Sequence, residues 1–181
     1  MSNLVLKTIR ERRSSYRFEP TQIDDEQLKV VLEAGIWAPS WANTQPWKFI
    51  VINNKEIKEK ICSSVTTITN LSIKEAPVCI AVCVNTKKDP GHFVEDGAAA
   101  TQNMALAAHS IGLGTCWIGV FSIRDERGSA ERKIRKILDV PDPWRLISIL
   151  PLGIPKVKVT KSRRELSEMV DLNSFDNRCF S

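Results

Sequence analysis

Guanidinium groups gather at two places in this chain. Arg12 and Arg13 lead into Ser14, Ser15, Tyr16, Arg17 and Phe18, and Lys161, Ser162, Arg163 and Arg164 stand near the C-terminus. The planar fork of arginine donates two hydrogen bonds at once, so either segment suits a phosphate. An exposed helix end or a solvated basic run carries the same residues, and solvation is the commoner fate of such runs.

A second kind of chemistry is offered by Pro39, Ser40, Trp41, Ala42, Asn43, Thr44, Gln45, Pro46 and Trp47. Two prolines stiffen a loop whose hydroxyl and amides can present fixed donors and acceptors to the polar edge of a ring. An ordinary loop with core-packing tryptophans is a fair competitor. A third segment runs Gly112, Leu113, Gly114, Thr115, Cys116, Trp117, Ile118, Gly119. Its glycines let backbone approach a flat ligand closely. It follows a helix and leads into a strand, the reverse of a dinucleotide glycine motif, so a Rossmann site is rejected.

Several chemistries lack their parts. The chain has two histidines, His92 and His109, and no HExxH, Ser-His-Asp order or paired carboxylate motif. A hydrolase needs such groups. The five cysteines, Cys62, Cys79, Cys83, Cys116 and Cys179, are odd in number and show no CxxC spacing. Neither a disulfide framework nor a zinc site is expected, and a reducing cytoplasm suits the chain. No metal is expected.

The elements that must position these residues follow from pattern. The spacing predicts a helix over 4–12 and a second one capped by Asp24, with Gln27 completing a capping box and Pro39 ending it. A strand over 49–52, a helix over 56–64 and an apolar strand over 78–84, covered on both faces, follow. Residues 93–111 form the longest helical candidate, apolar almost all round and therefore central or in a subunit interface. Gly112 and Gly114 end it. A strand-like run over 115–121, an amphipathic helix marked by Ala130, Ile134, Ile137 and Leu138, and a core strand over 146–152 complete the pass. One α+β domain spanning 1–181 is the natural reading.

The net charge of +5 invites a nucleic-acid reading, but the basic residues are spread out and mostly interleaved with acids. A small phosphate ligand explains two separated clusters as well, and no nucleic-acid partner is expected. The longest apolar stretch, 76–84, falls far short of the ~20 residues a spanning helix needs. At the N-terminus the apolar residues precede the charges, the wrong order for a secretory signal. No membrane association is expected.

Together the four segments, from about Thr8 to Val170, resemble the nitroreductase family of FMN-dependent oxidoreductases. Pro39, Ser40, Asn43, Gln45, Pro46 and Trp47 before a strand form the most specific match. Next is the run from Asp96, Gly97 and Ala98 through Gln102 and Asn103 to the Gly112 segment. The resemblance implies an α+β fold with a central mixed sheet flanked by helices, and an entwined homodimer. It implies FMN as cofactor, NADH or NADPH as electron donor and a small organic acceptor, nitroaromatic or quinone in type, served in a ping-pong cycle. Arg12, Arg13 and Ser14 match the N-terminal FMN-binding triplet. Pro39, Ser40, Asn43 and Gln45 match the loop that reaches the flavin from the partner subunit. Trp117, Ile118 and Gly119 match the strand beneath the ring, where an N–H of Gly119 or Val120 faces flavin N5. Lys161 and Arg163 match the C-terminal phosphate pair, with Arg164 as an alternative after a one-residue slip.

The chain departs from the family in placing Tyr16 where a basic residue often stands, two positions after the Ser of the triplet; Arg17 is adjacent. A positive charge near flavin N1 stabilises the anionic reduced form. No side chain is required as a catalytic acid, base or nucleophile, since the cofactor carries the redox chemistry. Two further readings stand beside this one: a flavin-binding or redox-sensing protein with little turnover, and a related flavin reaction, reductive dehalogenation or flavin breakdown, on the same fold.

Overall fold

The computed structural model describes residues 3–65, 69–124 and 127–179. At its centre lies β2 (Val78–Asn85), buried from Val78 to Val84 as its unbroken apolar run requires. On one side it pairs with β1 (Trp47–Ile52), on the other with β5 (Trp144–Gly153). Beyond β5 the edge is formed by two short strands, β3 (Gly114–Thr115) and β4 (Ile118–Gly119). The four ladders are antiparallel. The parallel part of the expected mixed sheet is, among the described residues, the isolated bridge between Ser14 and Thr115.

Helices cover both faces, and the class is α+β. On one face α2 (Asp25–Ile36) packs on α5 (Phe93–Ser110), and α1 (Leu4–Glu11) touches α5. Val31, Met104 and Ala108 close that core against Ile80, Val82 and Leu150. On the other face lie α3 (Lys55–Ser64), α4 (Asn70–Glu75) and α6 (Ala130–Ile137), around a core that includes Ile61, Ile73, Ile134 and Ile149.

Local chemistry explains the boundaries. Asp24 and Gln27 form the reciprocal capping box that starts α2. At the end of α5, Gly112 adopts φ +84, its N–H donates to the His109 carbonyl, and the Leu113 N–H donates to Ala108 at 2.8 Å. That is a Schellman closure, with Leu113 buried as its apolar contact. Helix α4 was not anticipated from the sequence. It is one turn and a half, too short for an apolar period, and its first residue has no side-chain cap. Burial of Ile73 holds it, and Nζ of buried Lys58 donates to the Ala76 carbonyl at 2.6 Å, just past its end.

Residues that position the site differ slightly from expectation. The β1 strand begins two residues early, at Trp47, opposite Val84. The predicted 115–121 strand is divided at Cys116 and Trp117, but both halves keep one register, Gly114 opposite Gly153 and Ile118 opposite Ile149. In β5, Ile147 is the extra residue where the register against β2 shifts. Gly97 lets α5 approach that point, since a Cβ there would lie 2.5 Å from Ile147 Cγ1. Among the described residues, no helix is long and apolar enough to cross a membrane, and no cluster of ligating side chains could hold a metal.

Candidate functional site

The two arginine-rich segments, about 150 residues apart in sequence, meet in space. Arg12, Arg13, Ser14, Tyr16, Lys161 and Arg163, with Val159, line one cavity of about 120 Å³. The N-terminal segment reaches it because the Ser15 N–H donates to the Thr115 carbonyl at 2.8 Å. The C-terminal segment is held alongside by Lys156 N–H to the Arg17 carbonyl and by the Arg13 guanidinium, which donates to the Lys161 carbonyl at 2.9 Å. Arg13 also donates to the carbonyls of Arg10 and Arg12, while its buried Nε has no hydrogen-bond partner. Arg13 is therefore largely a brace. Arg12 is the more available cation, and burial together with Arg13 and Arg163 pulls its guanidinium below the ordinary arginine value. Positive charges crowded into a partly dry cavity favour an anion there.

The geometry separates the residues behind two open questions from the sequence. Arg17 turns away from the cavity: its Nε binds the Glu75 carboxylate at 2.8 and 3.0 Å, tying the segment to α4. Nothing in the sequence links residues 58 apart, so this pairing was not legible. Arg164 lines a different cavity, with Glu168, Asp171 and Asp176. Of the two alternatives, Arg163 is the one that faces Arg12 and Ser14.

The edge strand supplies the second component. The Cys116 N–H donates to Pro151 at 3.4 Å and the Val120 N–H to Ile147 at 3.2 Å. In an antiparallel ladder N–H groups point alternately toward and away from the partner. Val120 is thus spent on the sheet, and the Gly119 N–H points off its edge. Cys116, Ile118 and Val120 turn their side chains into the core. Trp117 and Gly119 take the opposite face, both exposed, and a Cβ on Gly119 would meet nothing within 4 Å. Behind Gly119, its partner Ser148 is fully buried and shares a 2.8 Å hydrogen bond with Thr101 of α5. The result is a sheet edge with one open face and the Gly119 N–H directed outward.

The loop over 39–45 lies elsewhere. It opens β1, at the opposite edge of the sheet from β3 and β4. Its Trp41 N–H is anchored to Asp96 near the start of α5, whereas Ser14 and Thr115 lie past the end of that helix. An 18-residue helix is roughly 27 Å long, so one chain does not join the loop to the cationic cavity. Ser40 Oγ accepts from the Gln45 N–H at 3.0 Å, and Gln45 Nε2 donates to Asn43 Oδ1 at 3.3 Å. Ala42, Asn43 and Gln45 all have positive φ, at 46, 56 and 47. Non-glycine residues held there store strain, which clusters where a loop is shaped for a ligand. Pro39 precedes this turn and fixes its entry.

The model of the Nitroreductase family matches residues 9–69 and 63–154. A protein of Methanothermobacter thermautotrophicus, provisionally described as an NADH dehydrogenase/NAD(P)H nitroreductase, is 37% identical over 153 residues, 83% of this chain and 77% of the relative. A solved structure from Parabacteroides distasonis with the same provisional description superposes with a TM-score of 0.88 at 29% identity, covering 96% of this chain and 100% of that one. A provisionally described nitroreductase from Desulfovibrio desulfuricans, solved in complex with FMN, superposes with a TM-score of 0.81 at 30% identity, covering 97% of this chain and 99% of that one. A family model that spans both the cationic segment and the Gly119 edge strand, with a relative this similar over most of the chain, decides the assignment: the chain belongs to the Nitroreductase family.

Proposed function

We propose that the protein is an FMN-dependent oxidoreductase that moves electrons from NADH or NADPH to a small organic acceptor, nitroaromatic or quinone in type. One observation carries the reading: the cationic cavity and the outward Gly119 N–H lie along one sheet edge, formed by β3 and β4 in a common register. Ser14 lies against Thr115, and Gly119 follows four residues on, roughly 13 Å along the strand. That spacing suits a ligand with a phosphate at one end and a flat ring system at the other.

The residues fit such a group. Arg12, Lys161 and Arg163 would hold the phosphate, with the Ser14 hydroxyl beside them and Arg13 bracing the wall. Tyr16 lines the same cavity and would contact the bound group there. Trp117, Ile118 and Gly119 would lie beneath the ring, and the Gly119 N–H would meet its N5 edge. When bound, FMN accepts a hydride from the nicotinamide and passes electrons on to the acceptor. The protein keeps one ring face open, and donor and acceptor use it in turn, a ping-pong cycle that calls for no side-chain acid or base.

Pro39, Ser40, Asn43 and Gln45 would reach this ring from a second copy of the chain, giving a homodimer with two sites. An apolar groove of about 410 Å³ supports this, lined by Leu4, Val5, Ile9, Trp37 and Leu106. Trp37 is 77% exposed and Leu4 72% exposed in the single chain. The basic residues then serve one small-molecule phosphate per site. A cytoplasmic location agrees with five free cysteines.

Equilibrium titration of flavin-free protein with FMN tests the reading. We expect saturation at one FMN per chain, with riboflavin, which lacks the phosphate, binding far more weakly. Equal affinity for the two would remove the phosphate assignment, and no binding of either would remove the flavin.

A further inference from the structure

Glu131, on α6, is fully buried. Its carboxylate accepts from Arg145 Nε at 2.6 Å, Arg145 Nη2 at 2.8 Å, the Ser122 N–H at 2.8 Å and the Leu146 N–H at 3.2 Å. Arg145 Nη2 also donates to the Ser122 carbonyl at 2.6 Å. Both backbone groups of Ser122 are therefore taken by side chains.

The place where this happens matters. Extending the β4–β5 register from Gly119 opposite Ser148 brings Ser122 opposite Arg145. The ladder stops after the Val120 N–H reaches Ile147, which is the bulged residue of β5. From there the Glu131–Arg145 pair takes over the role of the missing ladder bonds. The arginine also stacks its guanidinium over the Phe121 ring at 4.8 Å, and Phe121 meets Phe93 of α5 edge-on at 5.7 Å. Bulges next to a sheet edge commonly re-aim a side chain or terminate pairing.

Stability alone does not call for this pair. Two well-packed apolar side chains would serve a core as well as a buried ion pair or better. What apolar residues could not do is bond the backbone just beyond Gly119. We infer that Glu131 and Arg145 are positioning residues that fix the exit of β4 and so aim the Gly119 N–H. What that N–H meets rests on the flavin reading given above; the clamp itself does not.

The test is residue-resolved amide hydrogen exchange on the full chain, without and with FMN, for wild type, Glu131→Gln and Arg145→Lys. The lysine variant keeps a cation beside Glu131 but loses the fork that reaches Ser122, so it guards against a glutamine variant that does not fold. Without FMN, both variants should exchange Val120 and Ser122 about tenfold faster, with β2 amides unchanged. With FMN, slowing of Gly119 exchange should be plain in the wild type and about tenfold weaker in the variants. Flavin reduction at saturating NADH should fall about tenfold while FMN affinity holds within about twofold. Unchanged protection at Val120 and Ser122 would overturn the inference. So would an equal loss across β2, which would mark the pair as structural only. If FMN left Gly119 unprotected even in the wild type, the flavin reading would fall, and the FMN-free comparison would still decide the clamp.

Discussion

Arg12 and Arg163 line one small cavity, and each can donate a charge-assisted hydrogen bond to a phosphate oxygen. Such bonds contribute about 1.5–3 kcal/mol each, so Arg12→Ala or Arg163→Ala should weaken FMN retention by roughly 10- to 100-fold. Arg164→Ala should leave it near wild type, because Arg164 lines another cavity. Equilibrium dialysis of the three variants checks this; unchanged affinity in the first two would remove them as phosphate ligands. At this scale the sequence showed which residue types could do chemistry, since arginine forks and a proline-bounded amide loop are visible as letters. It could not show allegiance. Arg17 belongs to Glu75, Arg13 to three carbonyls and Val120 to Ile147, and each of these is decided by tertiary contact rather than by spacing.

At the scale of elements, the loop over 39–45 hangs on Asp96. This carboxylate is buried, accepts from the Trp41 N–H at 3.1 Å, and has a second oxygen without a hydrogen-bond partner. Burial raises its pKa above the ordinary 3.8, the Trp41 N–H partly offsets this, and Asp89 adds to the rise. The folded state thus favours the protonated acid. The associated stability is present below the unfolded value and is lost as pH rises through the folded value. Asp96→Asn should therefore match or exceed wild-type stability at neutral pH, with the advantage shrinking in acid. Urea unfolding at several pH values checks this, and a variant less stable at neutral pH than in acid relative to wild type would contradict it. Elements with a full period or a strong cap were legible: the capping box of α2, the apolar run of β2, and the glycine that closes α5. Helix α4 was not, because its six residues gain their stability from burying Ile73 and from Lys58, outside the helix.

At the scale of the whole molecule, one chain assembles the cationic cavity and the open edge strand but leaves the amide loop at the other sheet edge. It also leaves apolar side chains in water along α1, beside Trp37, and on the C-terminal segment at Leu166, Met169 and Phe175. Several of these side chains, on α1 and at Trp37, line one groove, and exposed apolar patches of that kind commonly mark an interaction surface. In the proposed dimer a second copy would supply both the loop and the cover, so sedimentation equilibrium should give twice the 20.4 kDa chain mass. A monomer with FMN bound would contradict this. The α+β class and the near-apolar α5 were readable in advance, but the separation of loop from cavity was expected only through the family resemblance, since composition and spacing do not tell which sheet edge each segment joins. The central claim, that this fold holds a flavin reducible by a nicotinamide, is tested most directly by the absorbance spectrum of the purified protein during anaerobic addition of NADH or NADPH. We expect the bands of oxidised flavin and their bleaching by at least one of the two nucleotides. No flavin bands after incubation with excess FMN, or bands that neither nucleotide bleaches, would contradict it.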